Sequence, residues 1–137
     1  MGAVSRLRAG RAELGPAAGV TPAARLGKAG ERAAADLLRS RGYDIVGAGF
    51  LARRGELDLV CRHGRDLVVV EVKTRSSNSF GTPLEAVGSR KRKALRAAAA
   101  EYRALAEWRG PIRFAVVGVT VRPEGVLQAE LIEDPFD

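Results

Sequence analysis

The stretch DLVVVEVKTR, residues 66–75, decides the fold. Its valines describe a buried β-strand, yet Glu71 and Lys73 stand where the apolar pattern should continue. Alternation along a strand puts these two charges on the face opposite Val70 and Val72. Immediately before it, HGRD at 63–66 carries Gly64, which suits a tight hairpin turn back to a strand at 56–62. In that strand Glu56, Asp58 and Val60 share one side and Leu57, Leu59 and Cys61 the other. Hairpin pairing then brings Asp58 to the sheet face that bears Glu71 and Lys73.

Two acids and a base around one point constitute a recognisable chemistry. Carboxylates side by side repel each other unless a cation lies between them, and an all-oxygen donor set suits Mg²⁺ or Mn²⁺ rather than zinc. Such an ion is held by few protein groups and completes its coordination with water and a substrate phosphate. It activates water and stabilises charge at phosphorus, while Lys73 orients the nucleophile or neutralises the phosphate. The reaction that fits is phosphodiester hydrolysis.

Outward from this core, a further strand is expected at 43–50. Before it, VTPAARLGKAGERAAADLLRSRGY at 20–43 opens with Thr21 as N-cap and Pro22 at the first helical position. Leu26, Ala29, Ala33, Ala34 and Leu37 recur at helical spacing and form the buried stripe, with Glu31 on its flank. Gly27 and Gly30 cost this helix about 1 kcal/mol each, which points to a close approach by another backbone. Residues 1–20 mix Gly, Ala, Pro and Arg without periodicity and read as a mobile basic tail, leaving 21–137 as a single domain.

Beyond the central strand, SSNSFGTPLEAVGS at 76–89 is a loop long enough to invite a function. A helix is expected at 90–108, with Leu95, Ala98, Ala99, Tyr102, Leu105 and Ala106 on its buried face. At about 100° per residue Lys91 projects to the same side. Arg92, Arg96 and Arg103 share an adjacent face that can track phosphates. Strands at 112–121 and 125–132 complete an α/β domain of order α-β-β-β-α-β(-β), a mixed sheet flanked by helices.

The net charge of +7 and the pI near 10.5 attract polyanions, nucleic acid foremost. Lysine occurs only at Lys28, Lys73, Lys91 and Lys93 in this arginine-rich chain, so a retained lysine points to a need for a compact ammonium. The lone Cys61 excludes an internal disulfide and a cysteine-built zinc site. No apolar run approaches the roughly 20 residues of a membrane span, and no export signal is evident, so the cytoplasm is the expected compartment.

The motifs GELDLV and VVVEVKTR resemble the Asp, then Glu-x-Lys signature of the PD-(D/E)XK nuclease superfamily, whose members share a restriction-endonuclease-like fold. A closer resemblance is to the YraN family of small bacterial proteins, similar in fold to Holliday-junction resolvases. It is carried in order by GKAGERAAADLLRSRGY, RRGELDLV, VVVEVKTR, FGTPLEAV, SRKRKALRAAA and RFAVVGV. The resemblance implies that Asp58, Glu71 and the Val72 carbonyl bind Mg²⁺ or Mn²⁺. It further implies that Lys73 is the catalytic lysine, that Glu31 is the acid supplied by the first helix, and that Lys91 is a basic residue from the following helix. Lys91, Arg92, Arg96, Arg103 and Arg75 would contact DNA, branched or damaged, and a homodimer would suit paired cuts. The chain departs from the family pattern at Gly49, Ala115 and Leu131, where relatives often carry Asn, Asp and His.

Blander readings exist for each residue. Glu71 and Lys73 could be a solvated pair on an edge strand, Glu31 a solvated helix residue, and Lys91 an exposed lysine whose stem covers apolar surface. His63 reads as a turn residue, Cys61 as core, and Tyr102 and Trp108 as packing. The alternatives to a nuclease are a binding module of the same fold that does not cut and a basic structural or ribosome-associated protein.

Overall fold

The computed structural model describes residues 3–7, 21–77, 81–82 and 87–135. In chain order the elements are β1 (Ala3–Leu7), α1 (Pro22–Ser40), β2 (Asp44–Leu51), β3 (Glu56–His63), β4 (Asp66–Ser76), α2 (Ser89–Ala106), β5 (Ile112–Val121) and β6 (Leu127–Glu133). From α1 onward this is the expected order. The departure precedes it: residues 3–7, expected within a mobile tail, are an edge strand antiparallel to β6, with Ala3 opposite Leu131 and Leu7 opposite Leu127. An uncovered β6 would present a row of unpaired N–H and C=O groups, and a short extended segment suffices to meet them. The remainder of the expected tail, and residues 78–80 and 83–86 of the expected loop, lie outside the described residues.

Among the described residues the strands form one sheet in the order β1-β6-β5-β4-β3-β2. The β4–β5 pair is parallel and its neighbours are antiparallel, so the sheet is mixed. The parallel pair follows from the α2 crossover, which returns the chain to the same end of the sheet. A helix covers each face. Ala33, Ala34, Leu37 and Leu38 of α1 pack with Leu59, Cys61, Val68, Val70, Val117 and Val119. Leu95, Ala98 and Ala99 of α2 pack with Leu57, Val60, Val69 and Val116. Val68 and Val70 thus face one helix and Val69 the other, which is why β4 is buried from Leu67 through Glu71.

Local chemistry sets the ends. The Thr21 hydroxyl accepts from Ala24 N–H at 3.0 Å, and Gly42 at φ +85° turns the chain out of α1 into β2. Gly64 takes φ +62° in the β3–β4 hairpin. Gly30 is the point of closest approach between α1 and β4, since a Cβ there would overlap Thr74 Oγ1. Gly27 has no such neighbour within 4 Å.

Two expected faces are corrected. Leu105, at 74% exposure, and Ala106 are not part of the buried face of α2, whose covered stripe ends at Tyr102. In β3, strict alternation fails at Asp58: Leu57 joins Val60 in the core beneath α2, while Leu59 and Cys61 face α1. The break coincides with a change in pairing. The β3–β4 ladder runs from His63 opposite Asp66 only as far as Leu59 opposite Val70, and beyond it β3 parts from β4.

Candidate functional site

The site lies where β3 and β4 diverge. A strand that loses its neighbour leaves backbone donors to be satisfied, and here Asp58 replaces the ladder: its Oδ2 accepts from Val72 N–H at 2.8 Å. The carboxylate is thereby fixed against the backbone of β4, one residue from Glu71. Opposite this point on β2, between the Ala48–Leu59 and Phe50–Leu57 pairs, sits Gly49 with φ +64°. That conformation is open to Gly and to Asn, so the departure from Asn at Gly49 keeps the backbone geometry. Ala115 and Leu131 are buried in the core beneath α1, where apolar side chains fit without a polar partner.

Glu71 faces α2 and is the one buried charged side chain among the described residues, with 8% of its surface exposed. This excludes the solvated edge-strand reading. Lys91, in the first turn of α2, reaches down to it, with Nζ 3.1 Å from Oε2. The inward direction expected for Lys91 is therefore realised. Glu71 Oε1 is also buried and accepts no hydrogen bond among the described residues. Burial first, and then the negative charge of Asp58, push the Glu71 carboxyl up to about 7, against the pull of the Lys91 ammonium. The two carboxyl groups stand close enough for a protonated one to hydrogen-bond the other, which raises it further.

Glu31 approaches from α1. Its carboxyl is raised by burial, then by Asp58 and Glu56, with Lys28 opposing. Asp58 is therefore the charge common to Glu71 on one side and Glu31 on the other. Glu31 also lines an open groove of about 530 Å³ between α1 and the β2–β3 edge, with Lys28 and Arg32 on its wall and Ile45, Ala48 and Leu59 on its floor. Lys73 lies two residues beyond Glu71 on β4, half-buried.

Of the arginines expected to track phosphates, Arg92, Arg96 and Arg103 lie on α2 and Arg75 on β4. Arg92 is half-buried and Arg96 exposed on α2. Arg103 donates to the Trp108 carbonyl at 3.2 Å and so binds the end of its own helix, and Arg75 donates to the Gly81 carbonyl at 2.9 Å. Cys61 is core, and Trp108 packs at the helix end with Nε1 donating to the Pro111 carbonyl at 2.9 Å.

A polar cluster at the hairpin end of β3 and β4 escaped the sequence reading. Arg113 on β5 binds Asp66 at 2.7 Å and approaches Glu133 at 3.5 Å. The Tyr43 hydroxyl donates to Glu133 at 2.5 Å. His63 stacks on the Tyr43 ring at 4.0 Å and meets Arg113 at 2.7 Å, so it is a packed member of this cluster and not a bare turn residue. Its members span ninety positions, and the signal available in the sequence was only that Tyr43 and His63 end neighbouring strands.

Among the described residues no three of His, Cys, Asp and Glu gather closely enough to cage a metal ion by themselves. What Asp58 and Glu71 offer is an open, two-carboxylate oxygen set with one buried oxygen unpartnered. That suits a cation which retains water and substrate as ligands, as Mg²⁺ does. No helix among the described residues is long and apolar enough to cross a membrane.

The model of a family described as "Uncharacterised protein family UPF0102" matches residues 30–119, a segment that contains Glu31, Asp58, Glu71, Lys73 and Lys91. A UPF0102 protein of Symbiobacterium thermophilum is 44% identical over 113 residues, covering 82% of this chain and 96% of the relative. One from Moorella thermoacetica is 44% identical over 114 residues, with 82% and 95% covered. A third, from Nocardia farcinica, is 46% identical over 101 residues, with 72% and 78% covered.

Proposed function

The chain belongs to the family UPF0102, the YraN family, and from the chemistry of its buried carboxylates we propose that it is a divalent-metal-dependent endonuclease that hydrolyses DNA phosphodiester bonds. The observation that carries the reading is Glu71: a buried carboxylate with an unpartnered oxygen, set beside a second carboxylate, in a protein of net charge +7. Burying such a group costs several kcal/mol unless something compensates it, and a divalent cation is the compensation that both Asp58 and Glu71 would share.

Asp58, Glu71 and the Val72 carbonyl would hold Mg²⁺ or Mn²⁺, which when bound lowers the pKa of water and offsets charge on the scissile phosphate. Asp58 is held against the backbone of β4 by the Val72 N–H on Oδ2. Lys73 orients the attacking water and neutralises a phosphate oxygen. Glu31, whose carboxyl is raised by burial and by Asp58, supports the site from α1. Lys91, Arg92, Arg96, Arg103 and Arg75 supply positive charge along the substrate backbone, which fixes its position but not its sequence. The superfamily resemblance adds branched or damaged DNA as the substrate class.

The test is incubation of the purified protein with supercoiled, linear and four-way-junction DNA in Mg²⁺ or Mn²⁺, alongside Asp58→Ala, Glu71→Ala and Lys73→Ala. Metal-dependent cutting that disappears in all three variants is the expected result. Binding without cutting would replace the proposal with a non-catalytic module, and absence of both would leave a basic structural protein.

A further inference from the structure

We propose that Lys91 is a resident counter-cation of Glu71: its ammonium is held on the carboxylate that a divalent ion would share, and the ion must compete with it to bind. The inference rests on the metal-binding role proposed for Glu71. Three observations carry it.

The first is the contact itself. Nζ lies 3.1 Å from Oε2, and the pair is lopsided, with the Glu71 side chain 10% exposed and that of Lys91 47% exposed. Glu71 is fixed in the sheet, whereas Lys91 hangs on a flexible stem with solvent to retreat into, so the exchangeable partner is the lysine.

The second is where Lys91 sits. The first turn of α2 contains no acidic residue, and Gly88 provides no side-chain cap. A cation at a helix N-terminus opposes the macrodipole, an unfavourable arrangement that Glu71 offsets. Lys91 is thus held near the helix start by one anion, and a competing cation on that anion releases it.

The third is residue type. Only four of the 23 basic residues are lysine. An arginine here would match both carboxylate oxygens with its fork. The lysine contacts Oε2 alone and leaves Oε1 without a hydrogen bond among the described residues. A point charge on one oxygen keeps Glu71 charge-balanced in the metal-free protein and can still be replaced. The consequence is a site that resists loading at low divalent-ion concentration.

The test measures Mn²⁺ affinity directly, from the electron paramagnetic resonance signal of the free ion at pH 8, with no DNA present. The proteins are wild type, Lys91→Met, Lys91→Arg, Lys93→Met and Glu71→Gln. Lys91→Met should bind Mn²⁺ about fivefold more tightly, the upper worth of a half-exposed ion pair. Lys93→Met, which removes an equal charge from the same helix, should stay within about twofold of wild type, and Lys91→Arg, whose fork can hold both carboxylate oxygens, should bind Mn²⁺ no more tightly than wild type. Loss of binding in Glu71→Gln establishes that the ion sits at this carboxylate. If binding is lost in Glu71→Gln yet unchanged or weaker in Lys91→Met, the inference fails and the metal-binding role stands. Equal tightening in Lys93→Met or in Lys91→Arg overturns it as well, by tracing the effect to net charge or to packing. No Mn²⁺ binding by any protein, or binding indifferent to Glu71→Gln, removes the metal-binding role and the inference with it.

Discussion

Replacing Glu71 with glutamine should stabilise the metal-free protein, and only above the pH at which the carboxyl ionises. Glutamine is isosteric and keeps an acceptor for Lys91 but carries no charge. The wild-type carboxyl titrates near 4.5 when unperturbed and at about 7 in the folded protein, because burial and Asp58 disfavour its charge. A folded-state value above the unfolded one means stability is fully present below about pH 4.5 and lost as pH rises through 7. That difference is worth about 3 kcal/mol, and about 2 kcal/mol after relaxation and water entry are allowed for. Urea denaturation in EDTA at intervals from pH 4 to 8 would measure it for both proteins. The wild type minus Glu71→Gln difference should become more unfavourable to the wild type by about 2 kcal/mol across that range, most of it between pH 4.5 and 7. Titrating groups away from the site are common to the two proteins, so subtraction reports Glu71 together with the Asp58 and Lys91 charges coupled to it. Parallel stability curves would refute the account of a carboxylate held ionised against its surroundings.

Three further outcomes follow from the same geometry. Asp58→Ala leaves Val72 N–H without its acceptor, whereas Asp58→Asn retains a side-chain oxygen; at pH 8 the alanine variant should be less stable than the asparagine variant by about 1–2 kcal/mol in urea titrations. Gly30→Ala drives a methyl group into Thr74 Oγ1, and the overlap should outweigh the helix propensity gained, for a net loss of about 1–2 kcal/mol. Thermal unfolding of Gly30→Ala, Thr74→Ala and the double variant should show the threonine truncation recovering most of that loss, and strict additivity would contradict the contact. Saturating Mg²⁺ at pH 8 should raise the melting temperature of the wild type by about 4 °C at tenfold excess over its dissociation constant and leave Glu71→Gln unmoved.

Much of this molecule is visible in short-range pattern. The valine run of β4, the glycine of the hairpin, the Thr21–Pro22 helix start and the apolar stripe of α1 each rest on neighbours within a few positions, and each is where periodicity puts it. Misread elements depend on distant partners. The pairing of Ala3–Leu7 depends on the open edge of β6, more than a hundred residues away. The cluster of Tyr43, His63, Asp66, Arg113 and Glu133 is assembled from four strands and the turn between α1 and β2. Alternation in β3 fails at Asp58, where the strand has left β4 but stays paired with β2 across from Gly49, whose φ is +64°.

The candidate site divides along the same line. Residue types and order in β3 and β4 suffice to bring Asp58 beside Glu71, because a hairpin is local, and Lys73 follows two residues beyond Glu71 on β4. Whether Glu71 is a solvated or a buried charge is not local: it depends on α2 lying across β4, which follows from the parallel return of β5 and from Leu95, Ala98 and Ala99 closing over Val69. The same helix delivers Lys91 to Oε2. One crossover therefore sets the burial that raises the Glu71 carboxyl and supplies the cation that opposes the rise. The electrostatic balance at this carboxylate belongs to the packing of α2, so a change that shifts this helix alters the charge state of Glu71 without touching β4.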